Sequence, residues 1–211
     1  MKGHLFKGYD ALLPPFPLRY DDWSEKEAEE YLAWYTAHIP ERVDYLAGQV
    51  GIHLAGEKIP PETLLDVWTW FYREAQVETV PQEEVRRQRE AFGYLGESFI
   101  QKTRFTLRTE FILRDIAMYT SAVFTSNYPV LCWDIVRKPK RDVCYHRPVI
   151  KGFLNLRYGK PFASTFQPDL MLNTQAAKFR NRTGSVNDLL AIYRLWTQDI
   201  PQSEEAGPSS D

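Results

Sequence analysis

Apolar side chains recur at spacings of three and four along much of this chain, and the most extended such run lies in its middle. Ile112, Ile116, Thr120, Val123 and Phe124 trace one stripe of a helix. That helix is expected to start near Phe105 or Thr109 and to end before Tyr128-Pro129, because a residue ahead of proline avoids helical geometry. Alternating strand-like runs follow at once. Residues 130–136 and 143–147 flank the turn-like Lys138-Pro139-Lys140-Arg141, which predicts a β-hairpin at about 130–150 packed on the helix at 109–126. With a four-residue loop, Val136 faces Val143, Asp134 faces Tyr145 and Trp133 faces His146. Leu131, Trp133, Ile135, Cys144 and His146 then share one side, and Asp134 and Arg147 become diagonal neighbours able to pair.

The preceding residues read as helical. Ser24 and Glu27 form a capping-box pattern ahead of Ala28, Tyr31, Leu32, Tyr35 and Ile39. Pro40 is expected to stop that helix and a shorter one to run from Glu41 to Val50. Pro61 opens a third, whose apolar face (Leu64, Leu65, Trp68, Phe71, Tyr72, Ala75) is broad enough to be sandwiched. Residues 76–92, with Glu83 and Glu90 spaced to meet Arg87 and Arg86, read as a solvated helix. Beyond the hairpin, 154–168 reads as an ordered loop, Asp169–Phe179 as a short helix, and Leu189, Leu190, Ile192, Tyr193 and Trp196 as the last helix. Ahead of all these, Leu13-Pro14-Pro15-Phe16-Pro17-Leu18 is an extended arm, expected to pack on its own domain rather than to serve as a polyproline ligand. The fold class predicted is α+β: six or seven helices around one small antiparallel sheet. One domain is expected over 1–198, followed by a disordered polar tail at 199–211.

Charge divides this picture in two. Residues 1–100 hold 10 Lys+Arg against 18 Asp+Glu, a net of −8, and 101–211 hold 16 against 10, a net of +6. With the acids of the tail left out, 101–198 carries +10. Such asymmetry can mark a surface for an acidic partner or nucleic acid, or an acidic half that docks on a basic one; the second is the simpler reading. No run of about 18 apolar residues spans a membrane. Two cysteines and the absence of an apolar signal-peptide core in Met1–Lys7 point to a reducing, cytoplasmic setting.

Reaction centres are hard to find. The chain lacks a phosphate-cradling glycine loop, a dinucleotide fingerprint, a serine elbow, His-Glu-x-x-His and paired Cys-x-x-Cys. No cofactor and no metal are therefore expected. Gly93-Tyr94-Leu95-Gly96 has the two-glycine spacing of some RNA-clamping loops without their basic flanks. His4, His38, His53 and His146 are scattered. His146, set against Trp133, is either a half-buried stacked ring or, with a carboxylate to orient it, an acid–base group. Asp115 on the middle helix is expected to pair with Arg114 or Arg108, or to be exposed. Lys138–Arg141 and Lys178–Arg182 are basic clusters without interleaved aromatics to stack bases.

The order of features at 112–153 carries a resemblance. Ile112-Leu113-Arg114-Asp115-Ile116-Ala117-Met118-Tyr119, then Leu131-Cys132-Trp133, then Arg147-Pro148-Val149-Ile150-Lys151-Gly152-Phe153, resembles a loose set of small bacterial proteins that includes toxin-immunity proteins. The resemblance covers about a fifth of the chain and carries over no catalytic residue. With the missing reaction centre and the charge asymmetry, it points to a non-enzymatic cytoplasmic binding protein, an immunity-type inhibitor of a protein partner such as a toxin; the candidate binding residues are Asp115, Tyr119, Trp133, Asp134, His146 and Arg147. The alternatives are a hydrolase or transferase using His146, Asp134 and Asp115, and a nucleic-acid-associated protein using the basic second half.

Overall fold

The computed structural model describes residues 6, 8–155 and 161–201. Its architecture is α+β and mostly helical, with six α-helices, a two-stranded sheet and a three-stranded sheet among those residues. Helix α1 (Glu25–Val50) begins at the predicted capping box. The Ser24 hydroxyl accepts from the Glu27 amide at 3.2 Å, and Glu27 accepts from the Ser24 amide at 2.7 Å. Pro40 does not end it. The helix continues to Gly51, whose φ of 84° supplies the left-handed stop. An internal proline costs about 3 kcal/mol. That cost is offset because both halves are packed: Ala28, Tyr31 and Tyr35 are buried before Pro40, and Val43, Leu46 and Ala47 after it.

Helix α2 (Thr63–Glu74) buries Leu64, Val67, Trp68, Trp70 and Phe71, with Trp68 and Phe71 stacked at 4.5 Å. Between it and the middle helix the chain makes an excursion. Strands β1 (Val77–Thr79) and β2 (Thr103–Phe105) pair antiparallel and carry helix α3 (Gln82–Phe92) between them. This flap has a small core of its own, Val80, Val85 and Ile100. The polarity of the sequence showed α3; the three-residue strands were too short to read.

Helix α4 (Leu107–Asn127) is the middle helix, and it is more deeply placed than a single stripe implies. All ten residues from Asp115 to Phe124 are buried. A helix apolar on every side belongs inside a bundle, and α1, α2 and β2 contact α4 around its circumference. Two of its buried hydroxyls are satisfied within the helix: Thr120 donates to the Ile116 carbonyl at 2.8 Å and Ser121 to that of Ala117 at 2.7 Å.

Strands β3 (Cys132–Ile135), β4 (Pro148–Asn155) and β5 (Phe162–Phe166) form the larger antiparallel sheet in that order. The hairpin register differs from the predicted one by four residues. Trp133 faces Ile150, not His146, and Asp134 faces Val149, not Tyr145. The observed pairing puts Val149 and Ile150 at 0% exposure and leaves Val143 at 62%, so burial outweighs the tight turn. The slip is even, so Leu131 and Ile135 keep the common face that alternation gives them, and both are buried. Gly152, at φ 111° beside a register shift between Ile150 and Phe153, lies where a Cβ would stand 2.8 Å from the Val130 carbonyl oxygen. Part of the segment read as a loop at 154–168 is instead β5; residues 156–160 lie outside the described residues, as does His4.

Helices α5 (Pro168–Arg180) and α6 (Asp188–Thr197) close the fold. Asp199 and Ile200, predicted as the start of a tail, are buried, and the Leu154 amide donates to the Asp199 carbonyl at 2.6 Å. Residues 202–211 lie outside the described residues. The Pro-aromatic arm packs inward: Phe16 meets Trp23 edge-on at 5.0 Å, and the Trp23 indole donates to the Pro17 carbonyl at 3.1 Å. Tyr20, Trp23, Tyr31, Tyr35, Met118 and Ile135 form a second core cluster beside the main one, and Trp133 packs against both.

Candidate functional site

The six residues predicted to form one binding surface occupy separate environments. Asp115 is 1% exposed and meets neither Arg114 nor Arg108 as an ion-pair partner. Arg42 of α1 grips it instead, through Nε at 2.9 Å and Nη2 at 2.5 Å, while the Tyr9 hydroxyl donates to the same carboxylate. Arg42 also donates to the Asp10 carbonyl at 2.8 Å. Burial lifts the Asp115 carboxyl above its ordinary pKa against the pull of Arg42 and Tyr9. This triad ties the amino-terminal arm, α1 and α4 together. Tyr119 is likewise 0% exposed. Neither residue can touch a partner, and both leave the candidate surface.

Trp133 is half-buried and packs edge-on against Tyr35 at 5.5 Å. Asp134 pairs with Lys151 and, at 2.8 Å, with Arg137, not with Arg147. Burial would raise its pKa, but the bonds from Lys151 and Arg137 hold it down at about 2. Arg137 and Lys151, with Lys138 and Ser164, line an open groove of about 440 Å³. His146 is 3% exposed, stacks on Tyr145 at 3.8 Å rather than on Trp133, and has an Nδ1 without a hydrogen-bond partner. Its φ of 56° is uncommon for a residue with a side chain. Asp115, Asp134 and His146 thus each have their own neighbours and share no hydrogen bond, so the geometry does not assemble the acid–base set of the hydrolase reading.

Arg147 leads to a site that the sequence did not reveal. It lines a cavity of about 150 Å³ together with Tyr20, Glu110, Arg114, Asp169 and Asn173. Helix α4 contributes Glu110 and Arg114, α5 contributes Asp169 and Asn173, the arm contributes Tyr20, and the start of β4 brings Arg147. The Arg147 guanidinium lies over the Tyr20 ring at 4.2 Å, and that of Arg114 lies 5.3 Å from the Phe111 ring. Arg114 Nη1 is buried with no hydrogen-bond partner. Burial raises the pKa of Asp169, with Arg114 and Arg147 opposing, and burial also raises that of Glu110. Burial, then Asp169, pushes the Tyr20 phenol up to about 12. The available signal was Arg114 itself, a cation within the apolar run from Phe111 to Phe124. Nothing in the sequence linked it to Tyr20 or Asp169, which lie far away along the chain.

Two surface features complete the inventory. Arginines of the basic half pair with acids of the first half: Arg137 with Glu25 and Glu29, Arg108 with Glu74, and Arg104 with Glu78 and Glu84. The flap ends in exposed apolar side chains within eight residues: Phe92 at 50%, Tyr94 at 82%, Leu95 at 46% and Phe99 at 58% exposure. Turns fold this stretch back on itself, with Gly96 donating to the Gly93 carbonyl at 3.0 Å and Phe99 to that of Gly96 at 3.1 Å. No helix of the described residues is long and apolar enough to cross a membrane. Comparison of the chain with protein-family models, curated proteins and solved structures returned no match.

Proposed function

We propose that this chain is a non-enzymatic binding protein that holds a protein partner in the bacterial cytoplasm, in the manner of an immunity protein that neutralises a toxin. The observation that carries the reading is the cluster of Phe92, Tyr94, Leu95 and Phe99 on the flap. Large aromatic side chains left in water are the residues that act as anchors in protein interfaces. The charges around them are already engaged, Arg89 with Glu97 at 2.9 Å and Arg104 with Glu78 and Glu84. What the flap offers outward is therefore apolar contact. Toxin as the class of partner rests on the resemblance of residues 112–153. The free thiols of Cys132 and Cys144 suit a reducing compartment. The pairing of Arg104, Arg108 and Arg137 with glutamates of the first half weighs against a nucleic-acid reading, since those cations are spent within the fold.

The test is affinity capture from the native host with the wild-type chain and with the double variant Tyr94→Ser/Phe99→Ser. Exposed side chains contribute little to folding, so the thermal midpoint of the variant should stay within a few degrees. Loss of two anchors at about 2 kcal/mol each implies an affinity loss of several hundredfold or more. The expected result is one stoichiometric protein partner retained by the wild type and absent with the variant. Equal retention by both, or none by either, refutes the proposal. A wild-type dimer in light scattering that the variant abolishes would assign the face to a second copy of the chain instead.

A further inference from the structure

We propose that the cavity between α4, α5 and the amino-terminal arm is a binding site for a small oxyanion, a phosphate or a short dicarboxylate, held between Arg114 and Arg147. Both guanidinium groups line the same space of about 150 Å³. Both are withdrawn from full solvent. Their neighbours are aromatic faces, Tyr20 for Arg147 and Phe111 for Arg114, which accept no in-plane N–H bonds. Among the described residues neither has a carboxylate within ion-pair distance, and Arg114 Nη1 is buried with its hydrogen-bonding capacity unspent. Arg42 of the same protein shows the contrast, with its forked donors occupied by Asp115 and the Asp10 carbonyl.

A planar guanidinium is a rigid fork that matches the oxygens of carboxylate and phosphate two at a time, and a desolvated cation lacking such a partner is costly. Two forks facing one small space select a ligand with several anionic oxygens. The space is large enough to admit a phosphate or a short dicarboxylate. Asn173 adds an amide at the wall. Asp169 and Glu110 set a limit on affinity, since both are acids beside the proposed anion. Burial raises the pKa of each, with Arg114 opposing, which eases their repulsion of an anion.

Isothermal titration calorimetry at constant ionic strength, with chloride as the background anion, tests this with inorganic phosphate and with malonate in separate arms. Saturable one-to-one binding of at least one of them is expected, and the stronger arm tells the phosphate source from the carboxylate source. Arg114→Gln and Arg147→Gln should each weaken it at least tenfold, and Asp169→Asn should retain or tighten it. Heats indistinguishable from chloride in both arms, or unchanged affinity in Arg147→Gln, overturn the proposal. So does loss of binding in Asp169→Asn, which would make that acid a requirement for binding and not a limit on it. Arg147 belongs to a half-buried connection rather than to a helix, so its variant keeps the test decisive if Arg114→Gln fails to fold. Tyr94→Ser/Phe99→Ser should bind the anion normally, which separates the failure of this inference from failure of the partner reading.

Discussion

Breaking the pair between Arg42 and Asp115 should be far more damaging than removing it whole. Both side chains are 2% exposed, so neither charge can fall back on water once its partner is gone. In Arg42→Met the Asp115 carboxylate loses bonds of 2.9 and 2.5 Å and keeps that from Tyr9. In Asp115→Leu the guanidinium keeps the Asp10 carbonyl. Leaving one partner of a buried pair uncompensated costs about 3–5 kcal/mol. For a chain of this size that is a fall in thermal midpoint of about 6–20 °C. The double variant Arg42→Met/Asp115→Leu buries no charge. It leaves the Tyr9 hydroxyl and the Asp10 carbonyl short of a partner, which costs about 1–3 kcal/mol. Urea denaturation followed by far-ultraviolet circular dichroism, with the four chains compared as a double-mutant cycle, should show a coupling of about 3 kcal/mol or more. If the double variant instead loses the sum of the two singles to within about 0.5 kcal/mol, the charges do not meet in the folded protein and the reasoning fails.

Two further outcomes follow from the same kind of accounting. Asp134 titrates at about 2 in the folded chain because Lys151 and Arg137 bond its charged form, and its side chain is 27% exposed. Its contribution, about 1–2 kcal/mol after allowance for solvent screening, is present above about pH 4 and is lost as the pH falls towards 2. Urea titrations between pH 2 and 6 should show this loss in the wild type and not in Asp134→Asn; a gap between the two that is constant with pH argues against it. Gly152→Ala should destabilise by about 2–4 kcal/mol, since its Cβ would meet the Val130 carbonyl at 2.8 Å and Leu131 Cδ2 at 2.9 Å with φ at 111°. A midpoint within about 1 °C of wild type would mean that β3 and β4 are not so closely apposed.

Much of the outline was legible because it rests on local chemistry. Ser24 and Glu27 cap α1 by reaching one another across a single turn. Pro129 ends α4 through its effect on the preceding residue. Where local signals competed with burial, the local signals lost. Pro40 lies inside a helix, and Lys138–Arg141 does not set the register of the hairpin, because Val149 and Ile150 bury more apolar surface than the tighter pairing would. The strand at Phe162–Phe166 was hidden by its length and by the glycine and prolines around it.

The candidate sites divide along the same line. Asp115 is expected from its neighbours to pair with Arg114 or Arg108, yet its partners Arg42 and Tyr9 lie 73 and 106 residues away. His146 and Arg147 were named for a hairpin face they do not occupy; one is buried on Tyr145, and the other lines a cavity with Arg114 and Asp169. Residue order by itself determined which segments coil into helices, where the first of them begins, and that aromatic side chains would fill the interior, since those outcomes depend on neighbours within a few positions. Tertiary structure alone decided which charges are paired, which donors are left unspent and which aromatics remain in water, because these depend on distances between segments that no local pattern encodes.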